Sequence, residues 1–161
     1  MSVFNNVNEL INHLESNVLR DVLENEVFDV VAQTQSRMVF EHVYNKYRPV
    51  VYKRRGYSGG LGDPKNIVGS FYKKNNTIQM LIENKTRGYN SGQYIAGLIE
   101  YGDGYNGMKY DFPYKNRLDS RYTYLKERPF IRKTIDFLEK SGRHIDALER
   151  GLNRRGIKTI R

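Results

Sequence analysis

One stretch of this sequence constrains its fold more than any other: Arg128-Pro129-Phe130-Ile131, which opens a patterned segment that continues to about residue 154. Proline has a fixed φ and no backbone N–H, so it suits a helix's first turn, where that N–H would be unpaired. Gly142 is a weak point within the segment. We therefore expect helices at 129–140 and 143–154. Their apolar stripe, expected to pack on the rest of the domain, recurs mostly at steps of three and four: Phe130, Ile131, Ile135, Leu138, Ile145, Leu148 and Leu152.

The first 46 residues carry two further stripes at helical spacing. We expect two helices, 6–23 and 26–46, separated at Glu24-Asn25-Glu26, with one continuous rod as the alternative. Pro49 follows, and the residue before a proline is disfavoured in a helix. The stripes consist of Val7, Leu10, Ile11, Leu14, Val18 and Val22, and of Val27, Val30, Val31, Thr34, Met38 and Val43.

The middle of the chain reads as short strands and turns. Val50-Val51-Tyr52 predicts a short strand, and residues 54–63 form a Gly-rich loop that begins with two arginines. Residues 67–72 and 77–83 alternate as the arms of a β-hairpin, although Leu81 breaks the polar side of the second arm. A short helix is expected at 93–100. Residues 101–127 have no periodicity, which predicts an extended loop.

Composition excludes several kinds of site. The 161 residues include no cysteine and three histidines, so disulfides and thiolate metal sites are excluded and a zinc site is not expected. No apolar run approaches 18 residues, so no membrane contact is expected. The Gly-rich loop lacks the Lys-Ser/Thr of a phosphate-binding loop. Glu100 and Asp103 have no nearby base, which favours a structural or solvated role. We expect no enzyme, no cofactor and no metal.

Charge is distributed unevenly along the chain. Residues 1–45 hold 2 basic and 7 acidic side chains, a net charge of −5, whereas residues 109–161 hold 15 basic and 7 acidic side chains, a net charge of +8. Nine of the 13 tyrosines fall between residues 72 and 124, and in the loop 105–126 they alternate with Arg and Lys. Such a loop suits a protein interface, which we favour, or a basic single-strand nucleic-acid binder.

The order of these segments resembles a known family, the tail-completion or neck proteins of tailed bacteriophages first described in lambdoid siphophages. The resemblance spans most of residues 26–155. It rests on Tyr94-Ile95-Ala96-Gly97-Leu98-Ile99-Glu100-Tyr101-Gly102, on residues 128–135, and on residues 43–55, which are similar to versions from phages of Gram-positive hosts. It implies an α+β fold in which N-terminal helices and a long C-terminal helix pack on a small antiparallel sheet.

The same resemblance implies a structural virion protein that joins head to tail. The protein would form a ring, commonly of six subunits, around the DNA channel, with phage connector, adaptor and tail proteins as neighbours and non-specific contact with genomic DNA. It would be made in the host bacterial cytoplasm and act in the virion. We expect a single domain, 1–161, made of N-terminal helices (1–46), sheet with short helix (47–100), extended loop (101–127) and C-terminal helix (128–161).

Two sets of residues are candidates for roles in such an assembly. Glu100, Gly102, Pro129 and Phe130 form the expected structural motif. The interface candidates are Arg54, Arg55, Tyr57, Tyr105, Tyr110, Tyr114, Arg117, Arg121, Tyr122, Arg128, Arg143 and Arg150.

Overall fold

The protein has the α+β fold that the sequence predicts: helices pack beside a two-stranded antiparallel sheet. None of the described helices combines the length and apolar character that crossing a membrane requires. The predicted strand at Val50-Val51-Tyr52 and most of the predicted loop 101–127 lie outside the described residues. The computed structural model describes residues 6–46, 54–74, 77–88, 92, 94–102 and 127–159.

A helical rod, α1, covers residues 7–44. The predicted division at Glu24-Asn25-Glu26 is wrong and the continuous alternative is correct, because Leu23 and Phe28 on either side keep right-handed helical angles. The stretch contains neither proline nor glycine. Its α-helical segments, Val7–His13, Arg20–Val22 and Phe28–Val39, alternate with wider π-helical turns at Leu14–Leu19, Leu23–Val27 and Phe40–Tyr44.

The predicted hairpin is confirmed as strands β1, Ile67–Lys74, and β2, Thr77–Asn84, which pair antiparallel from Ile67↔Asn84 to Lys74↔Thr77. In β2, Ile78, Met80 and Ile82 are half-buried and alternate with exposed residues that include Leu81. The inner face lies on α1, because the Phe28 ring is so close to Gly69 that an added Cβ there would be 3.1 Å from it. A short 3₁₀ helix, Pro64–Asn66, leads into β1.

In the described part of the chain after the hairpin there are three helices: α2, Ala96–Tyr101, α3, Phe130–Ser141, and α4, Arg143–Arg154. The predicted start after Pro129 and the predicted break at Gly142 are confirmed. Gly142 adopts φ +66°, a left-handed conformation that favours glycine, and its N–H donates to Leu138 O at 2.9 Å. Both C-terminal helices pack on α1, α3 along Phe28–Val39 and α4 mainly along Leu23–Val27.

The core lies where α1, α2 and α3 meet the Gly-rich loop. The apolar stripe predicted for the C-terminal helices is only partly buried, because Ile135 is 50% and Ile145 48% exposed. In α4 the buried positions are instead Ala147 and Gly151, because α1 approaches too closely there for a larger side chain. The buried residues of this cluster are Met38, Val39, Val43, Leu61, Ala96 and Phe130.

Candidate assembly interface

A buried carboxylate joins the end of α2 to the start of α3. The side chain of Glu100 is fully buried. Its Oε2 accepts the backbone N–H of Ile131 at 2.7 Å, and its Oε1 accepts both the backbone N–H and the Nε–H of Arg132 at 3.1 Å. The first N–H groups of a helix have no partner within the helix and carry a partial positive charge. Glu100 therefore caps α3 from a different helix.

The rest of the predicted structural motif surrounds this carboxylate. Gly102 ends α2 at φ +64°, a conformation that favours glycine. The backbone N–H of Arg128 donates to Ile99 O at 2.9 Å, and the ring of Phe130 is fully buried. The structure thus brings together Glu100, Gly102, Pro129 and Phe130, in a unit called the Glu100 joint below.

Arg132 is a member of the Glu100 joint that the sequence did not single out. Besides Glu100, its guanidinium pairs with Glu127 at 2.8 Å. Hydrogen bonds to Glu127, and then to Glu100, raise the pKa of Arg132 above its ordinary value. An arginine four positions after Arg128 is not distinctive by itself, so only the fold reveals its partner.

Arg128 differs from the other described interface candidates because it is buried. Its side chain is buried, only 8% exposed, because the Arg128–Ile99 hydrogen bond draws the chain against the end of α2. It therefore belongs with the internal structure of the Glu100 joint.

The Gly-rich loop 54–63 folds back onto α1. Arg54 donates to Tyr44 O at 2.6 Å, so it caps the C-terminal end of α1, and its guanidinium lies 4.9 Å from the centre of the Tyr44 ring. The Tyr57 ring stacks on Phe40 at 3.9 Å and is 62% exposed. Arg55 is also exposed and donates to Arg87 O. Arg55 and Tyr57 stay accessible, whereas Arg54 has a role within the chain.

The second half of the same loop, residues 60–63, is buried. The Tyr44 hydroxyl accepts the N–H of Gly62 at 3.1 Å, and burial raises the pKa of Tyr44. The Asn84 side-chain amide donates to Leu61 O at 2.8 Å. The exposed residues of this loop are therefore confined to its first half, at 55 and 57–59.

Asn84 is the centre of a buried polar cluster that the sequence did not predict. Its Oδ1 accepts the hydroxyl of Thr86 at 2.6 Å and the backbone N–H of Thr86 at 3.1 Å. Ser36 of α1 donates to Gly62 O nearby. These bonds fix β2, the Gly-rich loop and α1 to one another. A polar residue at the buried end of an alternating strand is the only signal that the sequence offered.

Arg143 and Arg150 are exposed on α4, as predicted. Neither guanidinium has an ion pair or hydrogen bond in the part of the chain that the structure describes. Seven residues is close to two helical turns, so the two side chains lie on one side of α4. The remaining interface candidates lie outside the described residues: Tyr105, Tyr110, Tyr114, Arg117, Arg121 and Tyr122.

Acidic α1 and basic α4 already meet within one chain. Arg155 pairs with Asp21 and with Glu26, and Arg154 pairs with Glu26. The hydrogen bond to Asp21 raises the pKa of Arg155 above its ordinary value. An open depression of about 500 Å³ lies beside these pairs, lined by residues 17, 18, 20, 21, 24 and 155. Among the described residues, no group of three or more His, Cys, Asp or Glu side chains could hold a metal.

Comparison with known proteins assigns this chain to a family. The model of the YomN family matches residues 6–154, a range that includes α1, the hairpin and both parts of the Glu100 joint. The chain belongs to the YomN family. It is 29% identical over 133 residues to the SPbeta prophage-derived uncharacterized protein YomN of Bacillus subtilis (strain 168), an alignment covering 83% of this chain and 81% of that protein. No solved structure matches it.

This YomN-family chain is therefore associated with bacteriophages. This agrees with the phage origin that the sequence resemblance implies. The matched range begins at Asn6, the residue before α1, and ends with the last residue of α4. The family match thus includes the N-terminal turns of α1, which contain no buried residue.

Proposed function

We propose that the protein is a structural virion component of a tailed bacteriophage that completes the neck or tail and joins it to the head. The Glu100 joint carries the proposal. The two segments on which the resemblance to tail-completion proteins depends most are separated by 25 residues in sequence, yet a buried carboxylate binds them into one unit. Membership of a family with a prophage-derived relative supports the same assignment.

In this proposal the protein acts by assembly and has no catalytic role. Several copies, commonly six in the resembling family, would form a ring around the DNA channel, with connector, adaptor and tail proteins above and below. Exposed Arg143 and Arg150, together with Arg55 and Tyr57, are the described residues best placed to meet neighbours. A ring requires two different surfaces on each subunit, because a head-to-tail contact must repeat until it closes.

Particles made without this protein test the proposal. The gene would be deleted from the phage or prophage that encodes it, and the particles would be imaged after induction. Separate filled heads and finished tails are the expected result, with joined virions restored by the native gene. Joined, infectious particles from the deletion would overturn the joining role.

Complementation with charge variants makes this test more specific. Arg143→Glu with Arg150→Glu should restore fewer joined particles than the native gene. Lys65→Glu with Lys158→Glu, which changes net charge equally at two other exposed positions, is the matched control. Equal restoration by both variants would remove α4 from the proposed interface.

DNA binding by the purified protein distinguishes this proposal from a nucleic-acid-binding role. Its net charge of +9 permits weak, non-specific attraction to DNA. Electrophoretic binding at two salt concentrations should show weak binding by the isolated subunit. Tight binding with a steep dependence on salt would favour the nucleic-acid binder instead.

A further inference from the structure

Two exposed arginines lie together where the Gly-rich loop meets the segment that follows β2. The guanidinium of Arg55 donates to the backbone carbonyl of Arg87. The guanidinium of Arg87 donates to Gly92 O at 2.6 Å and to the hydroxyl of Tyr94 at 2.9 Å, and its Cζ lies 4.4 Å from the centre of the Tyr94 ring. All three side chains are exposed. We refer to Arg55, Arg87 and Tyr94 as the arginine patch.

The backbone beneath the arginine patch is fixed. Arg87 and Tyr94 face each other in an antiparallel β-bridge, and the N–H of Ile95 donates to Thr86 O at 3.0 Å. Thr86 itself belongs to the buried cluster around Asn84. Both guanidiniums are thus positioned by neutral acceptors, two carbonyls and a hydroxyl. A side chain that is already ordered loses less entropy when it binds a ligand.

The charge of the arginine patch is not compensated within the described residues. Neither guanidinium is ion-paired with a carboxylate there. For each arginine, the nearest acidic residue in the sequence has other partners. Glu83 pairs with Lys85 at 3.5 Å, and buried Asp63 accepts backbone N–H groups of its own loop. The patch therefore presents two positive charges to an external anion.

The sequence around the arginine patch has the same sign of charge. Residues 42–62 and 84–99, which contribute the patch, contain seven Lys or Arg and no Asp or Glu. A surface of one sign attracts a partner of the opposite sign, and the planar fork of a guanidinium matches phosphate oxygens. A second copy of this chain is a poor counterpart, because its α1 carboxylates are largely ion-paired already. The paired carboxylates are Asp21, Glu24, Glu26 and Glu41.

We propose that the arginine patch binds the phosphate backbone of DNA, with one phosphate at each guanidinium. Contacts of this kind position a protein on DNA and do not read its sequence. The inference rests on the proposed function, in which the chain surrounds DNA, and it names the surface that meets the DNA. Arg55 then contacts DNA, whereas Arg143 and Arg150 remain available to protein neighbours. Two contacts from one subunit are weak, and a ring repeats them.

The salt dependence of DNA binding by the full chain tests these two contacts. On duplex DNA, a plot of log affinity against log salt concentration has a slope of about −0.9 for each phosphate neutralised. Arg55→Gln with Arg87→Gln should therefore bind more weakly at low salt, with a slope shallower by about 1.8. Fluorescence anisotropy of a labelled random-sequence duplex at several NaCl concentrations measures both quantities. A native slope in this double variant would overturn the proposal.

Lys140→Gln with Lys158→Gln is the matched control, because it removes the same charge at two exposed positions. Both lysines belong to the C-terminal segment, which packs along the first and middle parts of α1, whereas the Gly-rich loop contacts the end of α1 at Tyr44. The control should stay close to the native slope. Equal effects of the two double variants would reveal a general attraction of surface charge and would overturn the patch.

Two further variants separate charge from local structure. Arg55→Lys with Arg87→Lys keeps both charges but loses the guanidinium hydrogen bonds, so its slope should be close to native. A slope as shallow as that of the double glutamine variant would attribute the effect to structure and overturn the proposal. Arg55→Gln alone leaves every bond of the Arg87 side chain in place and should make the slope shallower by about 0.9. Circular dichroism should show native unfolding temperatures, because both arginines are exposed.

A competitor identifies the anion that the arginine patch prefers. Poly-L-glutamate should displace the labelled duplex less well than unlabelled DNA of equal total charge. Equal or better displacement by poly-L-glutamate would assign the patch to an acidic protein surface and overturn the DNA assignment.

Particle imaging separates this inference from the proposed function. Joined particles from the gene deletion would overturn the joining role, while a shallower slope in Arg55→Gln with Arg87→Gln would still support the DNA contact. Separate heads and tails from the deletion, together with a native slope in that variant, would overturn the DNA contact alone.

Discussion

Glu100 and Ile131 are 31 residues apart, and the carboxylate of Glu100 accepts the backbone N–H of Ile131 at 2.7 Å in the interior of the protein. This hydrogen bond, with the two from Arg132, ties the last turn of one helix to the first turn of another. The joint therefore depends on one buried charge with three donors. Its importance can be measured by changing the acceptor and a donor independently.

Replacement of Glu100 should destabilise the fold strongly. Glu100→Gln removes the charge and should lower the free energy of unfolding by about 1–2 kcal/mol, and Glu100→Ala, which leaves partly buried donors unpaired, by about 2–3 kcal/mol. Arg132→Met keeps the backbone donors and removes a half-exposed guanidinium, so it should lower the same quantity by less than about 1 kcal/mol. Urea unfolding followed by circular dichroism measures all three. Native stability of Glu100→Ala would show that the capping bonds contribute little.

Gly151→Ala tests the close approach of α1 and α4. An added Cβ would lie 2.5 Å from Val22 Cγ1 and 2.8 Å from Glu26 Cγ. We expect a loss of about 1–3 kcal/mol in the free energy of unfolding, although alanine is favoured over glycine by about 1 kcal/mol in a helix. Asn153→Ala, at an exposed position of α4, is the control and should be neutral or slightly stabilising. Adding Val22→Ala to Gly151→Ala should recover part of the lost free energy of unfolding. No recovery would show that the added Cβ does not clash with Val22.

Local backbone chemistry explains which parts of this fold the sequence could predict. Pro129 and Gly142 act on their own neighbours, so the limits of α3 and α4 follow from a few residues. The alternation in β2 likewise identifies its inner face. The Glu24-Asn25-Glu26 segment misled the prediction because polar residues interrupt a stripe without preventing helical backbone angles, and a wider turn accommodates them.

The burial of side chains and their hydrogen-bond partners were harder to predict, because both depend on how the helices and strands pack against one another. Ile135 and Ile145 fit the helical stripe, yet small residues, Ala147 and Gly151, form the buried side of α4. Glu100 was expected to be structural, but its acceptor role required knowing that α3 begins beside it. Arg128 and Arg143 look alike in the sequence, and only packing separates the buried arginine from the exposed one.

Asn84→Ala should loosen the contact between β2 and the Gly-rich loop. The substitution leaves Leu61 O and the N–H of Thr86 without their present partner in a buried cluster, and it leaves the Thr86 hydroxyl with only the longer hydrogen bond to Gly60 O. We expect a loss of about 2–3 kcal/mol in the free energy of unfolding. Gln79→Ala, on the exposed face of the same strand, is the matched control and should change it by less than about 0.5 kcal/mol. Equal effects of the two variants would mean that strand propensity, and not the cluster, is being measured.

Asp63 should make stability depend on pH in acid. The N–H groups of Gly59 and Lys65 donate to its carboxylate at 2.6 and 2.9 Å and hold the pKa of Asp63 below its ordinary value. Because the folded pKa lies below the unfolded value of about 3.9, the contribution is complete well above pH 4 and disappears as the pH falls through the folded pKa. The free energy of unfolding of the native chain should therefore exceed that of Asp63→Asn by about 1 kcal/mol at pH 6. This difference should shrink at pH 3. Urea unfolding at both pH values measures this difference in stability.

Asp136→Asn, at the Lys133 pair on the surface, is the control and should show a smaller change in stability between the two pH values. A pH-independent difference between the native chain and Asp63→Asn would show that the carboxylate charge of Asp63 is not responsible.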